Sequence, residues 1–160
     1  RYSAEYQANF LNALTISATT FPNIKFFIKP HPAGMWLTSR FKGTLPEHSN
    51  IIIAEPTDPK WERPLLADYF RKLTGVISTP STVILDAARM NLPVLVCGFD
   101  LELNKFSPLA IANNIDDWTT FINDVTHKKT EAYVNNNIQF IKQALIDGNA
   151  IENAVNLITS

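Results

Sequence analysis

Two stretches of this chain gather side chains whose types and spacing could do chemistry. The first is Lys29-Pro30-His31-Pro32. Each proline fixes its own φ and pushes the residue before it, Lys29 or His31, toward extended backbone. Residues two apart in extended backbone point the same way, so the ammonium and the imidazole share a side. Lys29 can neutralise a phosphate. His31 can donate to a phosphate oxygen or protonate a leaving group. A stiff frame lowers the entropy cost of holding both groups. The plain alternative is a proline-stiffened loop with a surface histidine. Rigidity built around two polar groups favours the chemical reading.

The second stretch is Ser78-Thr79-Pro80-Ser81-Thr82, which runs from an apolar segment into a helical one. A helix start offers free N–H groups and the positive end of the dipole, which suit a phosphate, and four hydroxyls add donors. Capping by Thr79 and Ser81 would account for the same composition. Asp86 follows a little beyond the first turn. A carboxylate there could accept two hydrogen bonds from a ribose diol, although a solvated helix-surface aspartate explains it as simply.

Other chemistries lack their residues. The chain has no GxGxxG and no P-loop, which removes the common NAD and ATP fingerprints. His31, His48 and His127 are scattered, with no HExxH and no Cys/His pair, so no structural zinc site is expected. A GxSxG nucleophile elbow is missing as well.

The elements that must position these groups follow from periodicity. Tyr6, Phe10, Leu11 and Leu14 predict an amphipathic helix over 3–19. Apolar runs at 24–28, 51–54, 74–78 and 93–97 read as short buried strands. Helices are expected at 62–73, at 80–91 with Thr79 as N-cap and Pro80 at the first position, and at 116–126, 131–146 and 149–158. In the fourth of these, Val134, Ile138, Ile141 and Leu145 read as the apolar face and Asn135-Asn136-Asn137 as a solvated one. Residues 35–47 carry no clear period. Strands alternating with helices predict an α/β fold: a Rossmann-like parallel sheet with helices on both faces, one domain over 1–160, and a helical C-terminal tail. The opening helix has no strand before it, although a crossover helix normally joins two strands. That order, and a start at Arg1, read as a fragment of a larger two-domain enzyme, with proteolytic maturation as the alternative.

In an open parallel sheet ligands bind at the carboxyl ends of the strands. This rule selects four loops along one rim: Lys29–Gly34, Glu55–Pro59, Ser78–Thr82 and Gly98–Asp100.

The composition is an ordinary globular balance. Of 160 residues, 46% are hydrophobic and 18% charged, enough apolar material for one domain. A formal net charge of −1 with no Lys/Arg-rich stretch argues against nucleic acid as a partner. Cys97, the single cysteine, rules out an internal disulfide, reads as a buried inert thiol and is compatible with a reducing cytoplasm. No apolar run approaches the roughly 20 residues that span a bilayer, and no signal peptide is visible.

Taken in order, these segments resemble the C-terminal half of GT-B glycosyltransferases, above all the CDP-glycerol glycerophosphotransferases and related capsule or teichoic-acid polymer transferases. FFIKPHP looks like the family's strand ending in a Lys/Arg-x-His-Pro element. GVISTPSTVILDAARMNLPVLV looks like its strand, Ser/Thr-rich turn, acidic helix and N-x-P-V strand. IDGNAIENAVNLI looks like its closing helix, and the likeness covers residues 24–158. Many members carry an acid before a serine pair, as in D-Y-S-S. Here Ser78-Thr79-Pro80-Ser81 has none, the mark of a divergent member.

The resemblance implies a donor-nucleotide-binding domain. His31 would contact the donor pyrophosphate and act on the leaving phosphate. Lys29, Ser78, Thr79, Ser81 and Thr82 would hold phosphate oxygens, Asp86 the ribose hydroxyls, and Glu55 would lie near the base. The substrate would be a CDP-, CMP- or UDP-linked sugar or polyol, with no covalently bound cofactor and no metal. The acceptor domain would precede this one in the same protein, so this half alone would turn over nothing. The whole enzyme would work in the cytoplasm, with peripheral association at the inner face of the membrane. A CMP-donor sialyl- or Kdo-type transferase, half of a UDP-sugar 2-epimerase, and a non-catalytic Rossmann-like binding module remain open alternatives.

Overall fold

A computed structural model describes residues 2–30, 45–55, 58–62 and 66–144. The chain opens with helix α1 (Ala4–Thr20), then strands β1 (Phe26–Ile28) and β2 (Ile51–Ile53). Two short helices follow, α2 (Pro59–Glu62) and α3 (Leu66–Phe70). Strand β3 (Val76–Ser78), helix α4 (Val83–Arg89), strand β4 (Val94–Cys97), a 3-10 turn (Asn104–Phe106) and strand β5 (Ala110–Ala112) come next. Helices α5 (Ile115–Thr126) and α6 (Glu131–Ala144) complete the described chain. The helix expected at 149–158 lies outside the described residues.

Among the described residues every strand pairing is parallel, as the strand–helix alternation requires. The pairings form two ladders: β1 with β2, and β3–β4–β5. Helices cover both faces. On one side Tyr6, Phe10 and Leu14 of α1 and Trp118, Phe121 and Ile122 of α5 pack on Leu95, Cys97 and Ala112. On the other, Phe70 of α3, Ile84 of α4 and Phe140 of α6 pack on Val76, Val94 and Val96. Alternate residues of β4 thus feed opposite layers, and all four are buried, the signature of a strand covered twice. The fold is α/β, with parallel sheets between helical layers.

Local signals explain the helix ends. Ser3 caps α1 by accepting from the Tyr6 N–H at 2.9 Å. Asn114 and Asp117 form a reciprocal capping box at the start of α5. At the other end of α1, the Asn50 amide donates to the carbonyls of Ala18, Phe21 and Ile24 at 3.0, 3.2 and 3.1 Å. One side chain thereby closes a helix C-terminus onto the foot of β1 and β2.

Several expectations change. Helix α4 starts at Val83, not Pro80, and its N-cap position is Thr82, without a side-chain cap bond. Thr79 is therefore not the cap, and Ser78-Thr79-Pro80-Ser81 forms a turn of its own. Strand β5 was not expected. Asn137 is fully buried instead of solvated, and its amide donates to Leu92 O at 2.6 Å. The buried stripe of α6 is Asn137 and Phe140, while Ile138 is left exposed.

Ser17 is fully buried within α1, and its hydroxyl has no hydrogen-bond partner. Ser17→Ala removes an unsatisfied polar atom and installs the best helix former, so stability is expected to rise by about 0.5–1 kcal/mol. Urea unfolding measures it, and a loss of stability would show that the hydroxyl is satisfied in solution.

Candidate functional site

The rim is set by the direction of the strands. Ser78 ends β3, and the turn after it folds back on itself. The Ser78 hydroxyl donates to Thr79 O at 2.8 Å and lies 3.2 Å from Ser81 Oγ. Tyr2 OH donates to Pro80 O at 3.3 Å, which ties the start of α1 to this turn. Ser78, Thr79 and Ser81 are half-buried, and Thr82 is exposed.

The turn forms one wall of a cleft of about 320 Å³. Pro80, Ser81, Thr82 and Leu85 supply that wall; Lys105, Phe106 and Phe140 supply the other. Ser81, Thr82 and Lys105 thus line a mostly apolar hollow beside the turn that follows β3. Hydroxyl and ammonium donors of this kind can hold an oxyanion. Lys105, whose Nζ lies 5.4 Å from the Phe106 ring centroid, is a residue that sequence reasoning missed. The signal for it was weak: it lies on the connection after β4, five residues beyond the end of the loop that the strand-end rule selected.

Asp86 does not reach this cleft. It is exposed on α4 and lines a separate groove of about 370 Å³ with Leu66, Ala67, Phe70, Arg89 and Met90. One step along a helix turns a side chain by about 100°, which takes Asp86 away from the face that Leu85 presents to the cleft.

Lys29 and Glu55 stand at the carboxyl ends of the β1–β2 ladder. Lys29 is exposed, with Nζ 5.4 Å from the Tyr69 ring centroid. Phe27, two residues earlier on the same side, stacks on Tyr69 at 4.9 Å and meets Trp61 at 5.3 Å. Lys60 Nζ lies 4.6 Å from the Trp61 ring centroid. Glu55 O accepts from the Asp58 N–H at 3.0 Å. The result is a cation–aromatic patch around Phe27, Trp61 and Tyr69 that the sequence did not single out. His31 lies outside the described residues.

Cys97 is buried, and desolvation pushes its thiol well above the ordinary range. It is a packing residue, not a nucleophile. Among the described residues no helix is long and apolar enough to cross a membrane.

Comparison with protein-family models, with curated proteins and with solved structures gave no match to this chain.

Proposed function

We propose that this chain is the donor-nucleotide-binding half of a GT-B-type transferase, acting on a CDP-, CMP- or UDP-linked sugar or polyol in cell-surface polysaccharide or teichoic-acid-like polymer synthesis. One observation carries the reading: the Ser78–Thr82 turn and Lys105 meet around a cleft at the carboxyl ends of parallel strands, where open α/β sheets bind their ligands. Ser81 and Thr82 hold phosphate oxygens through their hydroxyls, and Lys105 offsets the charge. In this reading Lys29 and His31 also serve the donor phosphates. The aromatic patch near Glu55 offers a surface on which a base can stack. Asp86 lines the separate groove on α4, so it serves the ribose of a nucleotide that reaches over that helix.

The test is a thermal-shift panel with CDP, CMP, UDP, GDP and ADP. A ligand at a hundredfold its Kd adds about 2.7 kcal/mol, which for a chain of this size raises Tm by roughly 5–10 °C. A cytidine nucleotide is expected to give the largest shift. Ser81→Ala, Lys105→Ala and His31→Ala are each expected to diminish it. CMP preferred over CDP would favour the sialyl- or Kdo-type reading, and UDP alone the epimerase reading. No shift with any nucleotide, from a chain that melts cooperatively, would leave the binding module as the better account.

A further inference from the structure

Helix α1 fixes the relative direction of the two ladders. Its start meets the carboxyl ends of β3 and β4, through Tyr2 OH on Pro80 O and Tyr6 OH on Cys97 O. Its end meets the feet of β1 and β2, where the Asn50 amide donates to Ala18 O and Ile24 O. Both ladders therefore point the same way along α1. The Ser78–Thr82 turn lies at one end of the strands, and the turns that lead into the strands lie at the other.

That second end carries exposed cations from four separate turns. Lys25 precedes β1, Arg71 and Lys72 lie between α3 and β3, Arg89 ends α4 ahead of β4, and Lys128 and Lys129 join α5 to α6. Packing makes these turns neighbours. A Cβ at Gly75, just before β3, would lie 3.2 Å from Val125 near the end of α5. Phe70 of α3 shares a groove with Arg89 and Met90. Two acids at this end are engaged: Asp68 with Arg71 at 3.7 Å, and Asp124 by the Tyr133 hydroxyl at 2.9 Å. Glu47 and Glu131 are exposed there. The far end has the opposite character, with Glu5 and Asp100 exposed at the start of α1 and Asp116 exposed at the start of α5.

Two details at the cationic end point to a use for it. Lys128 has φ 59°, in the left-handed region that glycine takes without strain. The turn alone gives no reason for a lysine at that position. Met90, next to Arg89, is 39% exposed and gives the end an apolar tip. A bilayer can take up both features at once, the cations at its anionic headgroups and the thioether at the acyl boundary. A dissolved polyanion has no place for the second.

We infer that the amino-end face of the strands docks on an anionic bilayer surface. Lys25, Lys72, Arg89, Lys128 and Lys129 meet the lipid headgroups, and Met90 enters between them. The acidic far end is repelled by the same surface, so the molecule settles with its cationic end down and the Ser78–Thr82 turn toward solution. Each Lys or Arg close to such a surface strengthens binding by about fivefold. The six cations are spread from position 25 to position 129, so the face exists only in the folded chain. The inference stands whether or not the cleft binds a nucleotide.

The test is co-sedimentation of the chain with vesicles of phosphatidylcholine alone and with vesicles holding roughly 30% phosphatidylglycerol. Binding to the anionic vesicles is expected to be about tenfold tighter or more at low salt, and to fade as salt shortens the Debye length. Lys128→Gly combined with Lys129→Ser should weaken it about twentyfold. The glycine relieves the left-handed backbone, so the variant should melt no lower than the parent. Lys142→Ser is the charge-matched control. It lies roughly 16 Å along α6 from the cationic turn, beyond a Debye length of about 10 Å, and should leave vesicle binding unchanged. The inference is overturned if the two vesicle types bind alike, or if Lys142→Ser weakens binding as much as the double variant. It is also overturned if the chain ignores vesicles and self-associates at low salt through Lys128 and Lys129, which would assign the face to the acidic end of a second copy.

Discussion

Tyr6→Ala is expected to destabilise the chain by roughly 3–5 kcal/mol, the cost of removing a large aromatic side chain from a packed core. Tyr6 is fully buried in the layer between α1 and the sheet. Its ring stacks on Tyr2 with centroids 4.5 Å apart and meets Phe99 edge-on at 5.5 Å. Its hydroxyl donates to Cys97 O at 2.9 Å, so one residue pins α1 to the end of β4. Burial pushes the phenol pKa up, and Cys97, Tyr2 and Asp100 push it the same way, so the donor stays protonated. Tyr6→Phe keeps the ring and orphans the Cys97 carbonyl. It is expected to cost about 1–3 kcal/mol. Urea unfolding of the three proteins, read by tryptophan fluorescence, separates the two terms. Equal losses for the two variants would assign the whole effect to the hydrogen bond. A loss under about 1 kcal/mol for Tyr6→Ala would mean that α1 is not docked as described.

Much of this architecture was legible because the signals were local. Tyr6, Phe10 and Leu14 fall on one helical face, and all three are buried as that spacing requires. The four apolar runs that read as strands are β1 to β4, because each is short, rich in branched residues and bounded by turn chemistry. β5 was not legible. Its sequence is Ala110-Ile111-Ala112, too small-sided to announce a strand, and only the register Leu95↔Ala110 to Cys97↔Ala112 makes it one. Asn137 deceived for the opposite reason. A polar residue inside an asparagine run reads as solvated, and the Leu92 carbonyl that its buried amide nitrogen meets lies 45 positions away. The site divides in the same way. Ser78 and Ser81 are three apart in one turn, and that local spacing brings their hydroxyls together. Lys105 joins Ser81 and Thr82 through tertiary packing that no local pattern encodes, and Asp86 leaves them because of its angular position on α4.

The rim also contains a position where geometry and function could be confused. Gly98 follows β4, in one of the four loops that the strand-end rule selects for ligands. Glycine in such a loop often marks close approach of a ligand to backbone, but here the close approach is internal. A Cβ at Gly98 would lie 2.6 Å from Ile111 Cγ2, 3.3 Å from Ala112 O and 3.4 Å from Asn113 Oδ1. The Gly98 N–H also donates to Ala112 O at 2.9 Å, so the backbone cannot back away without losing a bond to β5. Gly98→Ala is therefore expected to cost about 1–3 kcal/mol through overpacking. The cause is one methyl group, which makes the argument testable by relief. With Ile111→Ala in the background, the added Cβ finds room, and Gly98→Ala should cost at least about 0.5 kcal/mol less than it does alone. A double-mutant cycle by urea unfolding measures this. Additive losses would place the strain in the backbone instead of at Ile111. If the nucleotide shift survives in the double variant, Gly98 belongs to the packing of β5; if it disappears while stability is restored, the glycine belongs to the ligand after all.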